Sequence, residues 1–375
     1  MIRVLTFGRF ADANFGGLER YVFELARSLA PQVHYTNIVA DRGAPPDLAL
    51  VGDTIRARPW FHLAGTPVCP SMLAHARRAH ERAPFDIVHL QFPADPMAHW
   101  AAAALPPSVK RVVSWHSDII RQRALLALYR PFLHRLLRSA DAIIAATPAH
   151  FASSRQLEPI KHRRGIFHVV PYGFDLERFR DRPPLADDLR RRHSAPFLVF
   201  ALGRHVYYKG FEFLIRALAD VPGAKLLLGG EGPLTEELRR AAADAGVAQR
   251  VIFLGRIAEA DLAAYYHACD VFCLPSIEPA EAFGIVQIEA MACARPVVCC
   301  DLRNGVTWVN RDGVTGLVVP PADASALARA LRTLAGDRGL RERLGAQARE
   351  RALGEFTTDA MAQGTLAVYR QVLGG

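Results

Sequence analysis

Twice along this chain a series of short apolar runs alternates with longer segments of helical period, and this doubled alternation limits the fold more than any other feature. The first series is IRVLTFG (2–8), VHYTNIVA (33–40), DIVHLQ (86–91), RVVSW (111–115), AIIAAT (142–147) and IFHVVP (166–171). The second is FLVFALG (197–203), AKLLLGG (224–230), VIFLG (251–255), VFCLP (271–275), PVVCC (296–300) and GLVVP (316–320). Runs that are apolar throughout, rather than at every second residue, belong to strands buried on both faces. Between them, positions such as Leu18, Val22, Leu25, Ala26 and Leu29 fall on one helical face. Each series therefore predicts a parallel sheet covered by helices on both sides. The polar segment 174–197, with its Pro183-Pro184 pair, separates the two and reads as a linker. The expected class is α/β: two Rossmann-like domains, 1–180 and 190–358, facing each other across a cleft. Whether the final helix, about 359–375, returns to the first domain is left open by the sequence.

The net charge of +9 sits wholly in the first half, where residues 1–185 carry 24 Lys and Arg against 15 Asp and Glu; residues 186–375 carry 22 of each. A one-sided positive field attracts anionic partners such as nucleic acid, acidic lipid or a phosphorylated substrate. An Arg- and Ala-rich coding bias would leave the same imprint. The six cysteines include no C-x-x-C pair and no zinc-finger histidine spacing, so they are expected to be reduced thiols of a cytoplasmic protein. Arg3, Arg9 and Asp12 interrupt the apolar run a signal peptide needs, and no later stretch is long and apolar enough for a spanning helix.

Several clusters lie where strands end. Glu281-Ala-Phe-Gly-Ile-Val-Gln-Ile-Glu289 follows VFCLPS directly. With a helix beginning near Phe283, the N–H groups of Phe283, Gly284 and Ile285 point out of its N-terminus toward an anion. Glu281 and Glu289 would both reach one ligand and accept from its hydroxyls. A helix with an acidic first turn favoured by its dipole explains the same residues without a ligand. In GRHVYYKG (203–210), Arg204 and Lys209 can straddle a diphosphate, the first as a fork and the second as a point charge; two solvated loop cations are the plain alternative. Gly229-Gly230-Glu231-Gly232-Pro233 offers a turn on which a flat base could lie. In the first half, Asn14-Phe15-Gly16-Gly17-Leu18-Glu19 would let a phosphate approach the main chain, although it lacks G-x-G-x-x-G. His116 and Asp118 of WHSD follow a strand at its carboxyl end, which is the ligand-facing end of an open α/β sheet.

Taken in chain order, Gly16-Gly17-x-Glu19, HLQFPADP (89–96), HSDIIRQ (116–122), VVPYGFD (169–175), GRHVYYKG, GGEGP (229–233), E-x(7)-E and DLRNGVTWVNRDGVTGLVVPP (301–321) resemble the retaining glycosyltransferases of family 4, of the GT-B fold, over nearly the whole chain. The resemblance implies transfer of a hexose from a nucleoside diphosphate sugar with retention of anomeric configuration. By it, Glu281 binds the donor sugar hydroxyls, Glu289 the ribose, and Arg204 and Lys209 the diphosphate; Glu231, in the turn on which a base could lie, is a further donor-site candidate. Gly16 and Gly17 approach the diphosphate from the other domain, His116 contacts the sugar, and Asn14, Asp118 and Arg121 are acceptor-side candidates. No side-chain nucleophile is implied, because the leaving phosphate takes the acceptor proton in a front-face attack. The chain contains no D-x-D, the carboxylate pair that holds a divalent metal in many nucleotide-sugar enzymes, so no metal or other cofactor is expected and Arg204, Lys209 and backbone donors meet the leaving charge.

Two positions depart from the family pattern. Ala294 stands where Gly is frequent, which argues against a left-handed helix cap. Tyr172 stands where Asn is frequent in a P-N-G turn, and neither change is expected to touch a ligand contact. HSDIIRQ and WVNRDGVTG look like the bacterial surface-polysaccharide subgroup, which implies a role in O-antigen, capsule or exopolysaccharide assembly.

The implied donor is a GDP-sugar such as GDP-mannose, with a UDP-hexose second, and the implied acceptor a saccharide or a polyprenyl-diphosphate-linked saccharide. Arg121, Arg123, Arg130, His134, Arg135 and Arg138 surround Leu125, Leu126, Leu128, Phe132, Leu133, Leu136 and Leu137, with Pro131 among them. That fits a segment resting on an anionic membrane face at the inner side of the membrane, and equally an amphipathic helix packed on its own sheet. Nucleic acid is not expected as a partner, since no aromatic-basic platform or recognition helix is evident. A GT-B sugar-nucleotide epimerase would need acids in the first domain that have no place there. An inactive nucleotide-binding scaffold is opposed by Glu281, Glu289, Arg204 and Lys209 together.

Overall fold

A computed structural model describes residues 1–8, 17–41, 43, 49–63, 66–93, 96–119 and 123–375. The chain divides into one unit of Met1–Gly173 with Thr358–Gly375 and a second of Phe174–Thr357. Strands of the first unit are β1 (Ile2–Gly8), β2 (Val33–Ala40), β3 (Asp53–Ala57), β4 (Phe61–Leu63), β5 (Thr66–Val68), β6 (Ile87–Phe92), β7 (Lys110–Trp115), β8 (Ala142–Ala145) and β9 (Phe167–Val169). Its helices are α1 (Gly17–Leu29), α2 (Ser71–Arg82), α3 (Pro96–Ala103), α4 (Arg123–Ser139) and α5 (Pro148–Ser153). The second unit holds β10 (Phe197–Leu202), β11 (Ala224–Gly229), β12 (Val251–Gly255), β13 (Val271–Leu274), β14 (Val297–Cys300) and β15 (Gly316–Val319). Its helices are α6 (Leu185–Arg192), α7 (Phe211–Ala217), α8 (Thr235–Asp244), α9 (Leu262–Ala268), α10 (Ile285–Ala292), α11 (Gly305–Val309), α12 (Ala324–Gly336) and α13 (Arg338–Glu355); α14 (Thr358–Leu373) completes the first unit.

The two large sheets are parallel, and β4 with β5 forms a small antiparallel pair. The first has the order β3-β2-β1-β6-β7-β8-β9 and the second β12-β11-β10-β13-β14-β15. In each, the order reverses beside the first strand: β1 pairs β6 through Val4 and Ile87, and β10 pairs β13 through Val199 and Val271. At such a switch point neighbouring strands send their following loops to opposite faces, and a crevice opens at their carboxyl ends. The expected α/β class with two Rossmann-like parallel sheets is present. The short β3, β4 and β5 were not foreseen, because DTIRA, FHL and TPV carry neither an apolar run nor a long alternation.

One expectation needs correction. The segment 174–197 is no free linker but part of the second unit. Phe179 is buried and meets Tyr266 edge-on at 5.8 Å, Ala186 and Leu189 pack against Ala264 and Ala268, and Arg190 pairs with Asp270 at 2.7 Å. Its polarity reflects one solvated face of a packed segment. For α4 the sequence left membrane and core open, and Leu133, Leu136 and Leu137 are buried in the first unit's core with Leu126 packed against it. Phe132 points outward instead, 47% exposed, and contacts the equally exposed Trp100 of α3 at 5.7 Å between ring centroids. The side chains of Leu125 and Leu128 lie outside the described set.

The final helix α14 lies on the first sheet. Met361, Ala362, Leu366 and Tyr369 are buried with Val4, Leu25, Leu29, Ile87, Val112 and Ile144. Tyr369 Oη lies 2.7 Å from His89 Nδ1, and His89 Nε2 lies 2.8 Å from Ser114 Oγ, so a buried polar chain crosses this core with its groups paired.

Candidate functional site

In the second unit the loops after β10 and β13 meet at the switch point. Gly210 is in the left-handed region at φ 64°, and a Cβ there would lie 2.2 Å from Pro275 O. Only glycine allows this close approach, and through it the two loops touch. Ile277 N donates to Tyr208 O at 2.8 Å across the same seam. The contact brings Lys209 onto Glu281: Nζ lies 2.5 Å from Oε2, with both side chains 12% exposed. Ser276 Oγ donates to the same carboxylate oxygen at 3.0 Å. A charge-assisted contact this well shielded from water is strong and directional, and it fixes a cation and a carboxylate side by side at the strand ends.

Arg204, in the same loop, is exposed, and no described residue pairs with its guanidinium. Glu231 is also exposed, in a turn whose main chain is docked on that loop by His205 N donating to Glu231 O at 3.0 Å. The helix expected near Phe283 begins at Ile285, with Gly284 as its left-handed N-cap at φ 70°. Phe283 is buried and Ile285 is 47% exposed.

Glu289 has a setting of its own. Tyr266 Oη donates to its Oε2 at 2.7 Å, and its pKa is raised by burial, against the pull of the Tyr266 hydrogen bond and of Arg178. Structure thus places Lys209 with Glu281 in one cluster and Glu289 with Tyr266 in another. Among the described residues no group of three His, Cys, Asp or Glu is arranged to hold a metal ion.

In the first unit His116 follows β7. Its Nε2 lies 2.8 Å from Gln91 Oε1 and its Nδ1 2.9 Å from Tyr172 Oη. Gln91 Oε1 can only accept, so Nε2 carries the proton and the neutral ring accepts at Nδ1 from the tyrosine. Burial pushes the His116 pKa down to about 3, with His150 adding to the effect. Tyr172 stacks on the ring at 5.7 Å and Tyr21 meets it edge-on at 5.1 Å. Tyr172 was expected to touch no predicted ligand contact; it orients His116, which is one of the predicted contacts, and that expectation is corrected.

Asp118 spends both oxygens on protein. Oδ1 accepts from Trp115 Nε1 at 3.2 Å and Ser154 Oγ at 2.6 Å, and Oδ2 from Arg155 N at 3.0 Å. That is the pattern of a loop brace. Gly17 opens α1, while Asn14, Gly16 and Arg121 lie outside the described residues. Sequence reasoning missed Gln91, Tyr172, Ser276 and Tyr266. Gln91 left a trace, a polar residue inside the apolar strand IVHLQF; Tyr266 lies in a helix and left none.

Comparison with known proteins gives a consistent answer. Residues 15–178 match the family model described as Glycosyltransferase Family 4, and residues 187–351 that described as Glycosyl transferases group 1. The chain is 30% identical over 365 residues to the O-antigen chain mannosyltransferase C of Escherichia coli, covering 96% of this chain and 95% of that one. It is 33% identical over 340 residues to the D-rhamnosyltransferase WbpZ of Pseudomonas aeruginosa, covering 89% and 86%. Alr3699/HepE of Anabaena, solved in complex with UDP, aligns with a TM-score of 0.72 at 21% identity over 98% of this chain and 99% of that one, which shows a shared fold.

Proposed function

The chain belongs to the glycosyltransferases of family 4, and from that premise we propose that it is a retaining, metal-independent hexosyltransferase of bacterial surface-polysaccharide assembly. The observation that carries the reading is the Lys209–Glu281 pair, seated with Arg204 at the switch point of the second sheet. An ammonium has three donors, and Glu281 occupies one. The other two, with the exposed Arg204 guanidinium, meet the diphosphate as negative charge grows on it when the glycosidic bond breaks. Glu281 accepts from donor sugar hydroxyls, Glu289 from the ribose, and the leaving phosphate takes the proton of the acceptor hydroxyl. The second unit is the donor-binding domain in this reading and the first, with His116 kept neutral by burial and oriented by Gln91 and Tyr172, the acceptor-binding one.

GDP-mannose is the proposed donor, supported by relatives named for mannosyl and rhamnosyl transfer; a UDP-hexose is the alternative, since Alr3699/HepE was solved with UDP. The test is calorimetric binding of GDP, UDP, ADP and their sugar conjugates in EDTA, to wild type and Glu289→Ala. One nucleotide should bind selectively and more weakly to the variant. Binding of none, or binding that requires added metal, would contradict the proposal. Product anomer by NMR tests retention.

The acceptor is proposed to be lipid-linked, met at an anionic membrane surface by the exposed face of α4. Phe132 and Trp100 stand out there beside exposed Arg130, Arg135 and Arg138, and no helix among the described residues is long and apolar enough to cross a membrane. Electrostatic attachment of this kind weakens with salt. Enzyme bound to phosphatidylglycerol vesicles should be released in high salt and should bind neutral vesicles poorly; salt-independent retention would argue against it.

A further inference from the structure

Between Leu274 and Ile285 the chain has no regular structure, so the aim of Glu281 depends on what grips that backbone. Lys209 and Ser276 hold its carboxylate. Its main-chain carbonyl is held from behind: Asn304 Nδ2 donates to Glu281 O at 2.8 Å. The other end of the same amide is also engaged, since Asn304 Oδ1 accepts from Val306 N at 3.0 Å and caps α11. One residue on, a Cβ at Gly305 would lie 2.3 Å from Ala282 O, so the two backbones touch. Gln287 Nε2, fully buried, closes the seam by donating to Phe283 O at 2.9 Å and Val306 O at 3.1 Å. The loop that presents Glu281 is thus anchored on the start of α11, with Asn304 as the anchor nearest the carboxylate.

We infer that Asn304 is a positioning residue for donor-sugar recognition: it aims Glu281 by binding its main-chain carbonyl and touches no substrate itself. The inference rests on Glu281 reading the donor sugar. Helix capping alone does not call for asparagine, because Ser and Asp cap equally well. Holding the cap and the Glu281 carbonyl together does. A carboxylate cannot donate, and a hydroxyl offers both roles from one atom on a shorter arm, whereas the amide accepts at one end and donates at the other.

Asn304→Ser and Asn304→Asp keep an N-cap and remove the amide donor. Each is compared with wild type for melting temperature, for affinity toward bare GDP and UDP, and for turnover of GDP-mannose or UDP-glucose, whichever wild type uses, read as nucleotide release per folded enzyme. Melting temperature and bare-nucleotide affinity should stay near wild type, since a nucleoside diphosphate has no sugar for Glu281 to read. Turnover should fall about ten- to a hundredfold, the scale of a misplacement near 1 Å. Turnover within about twofold of wild type overturns the inference. So does an equal weakening of bare nucleotide, or a lowered melting temperature with full turnover per folded molecule, because either assigns Asn304 to the scaffold. If Asn304→Asp fails to fold, with its carboxylate facing a carbonyl, Asn304→Ser decides. Glu281→Gln measured alongside separates inference from premise: if it turns over like wild type the role given to Glu281 is wrong, and if it is impaired while Asn304→Ser is not, the inference alone falls.

Discussion

Ala294 ends α10 in the left-handed region at φ 56°, where the sequence argued against such a cap. The cap forms because its hydrogen bonds are made regardless of residue type: Arg295 N donates to Ala290 O at 3.0 Å and Ala294 N to Met291 O at 2.9 Å. A β-carbon in this conformation costs about 1–2 kcal/mol, partly offset by the greater freedom glycine has in the unfolded chain. Ala294→Gly should therefore stabilise the second unit by about 1 kcal/mol and raise its Tm by about 2–4 °C, measured by thermal unfolding; a lower Tm would refute the strain argument. Lys209→Ala should cost roughly 2.7–4 kcal/mol of transition-state stabilisation, about a hundred- to a thousandfold in kcat. It also leaves Glu281 without its cation, so weakened binding of the sugar conjugate should accompany the rate loss in steady-state kinetics. At this scale Lys209, Glu281 and Arg204 were visible in the sequence because they sit at strand ends. Tyr172 and Gln91 were not recognised, since their purpose is set by His116, 56 and 25 residues away.

Among the elements, α14 shows how little a helix's period says about where it docks. Its apolar positions are clear in the sequence, yet they fit the first sheet rather than the unit that precedes them in the chain. Leu366 is 1% exposed in that core. Leu366→Ala should cost about 2–5 kcal/mol, and chemical denaturation should show the loss in the first unit's transition with the second unit's midpoint unmoved. A shift confined to the second unit would contradict the assignment. In α4 the same period left two answers open, membrane or core, and burial of Leu133, Leu136 and Leu137 selected the core for the leucines. Phe132, flanking that stripe, is left to solvent.

Taken whole, the molecule shifts its histidines unevenly. Burial pushes His89, His99 and His116 down to about 3, and all three belong to the first unit. In the second, His267 is lowered to about 4, and burial lowers His205 as well. A histidine held below its unfolded value near 6.5 gives stability that is present above that value and lost as pH falls, at up to about 1.4 kcal/mol per pH unit for each group. Between pH 7 and 5 the first unit should lose stability faster, and hydrogen exchange should show its peptides deprotected first; the reverse order would contradict these burials. The doubled α/β plan with its parallel sheets and the loops that carry Arg204, Lys209 and Glu281 followed from the sequence alone, because apolar period and turn chemistry are properties of neighbouring residues. Tertiary structure decided the rest: that segment 174–197 is packed, that α14 joins the first unit, that Ala294 caps left-handed, and that Glu281 and Glu289 keep separate partners. Those outcomes depend on contacts such as His89 with Tyr369, 280 residues apart, and a pairing at that distance is chosen by packing, which no local pattern records.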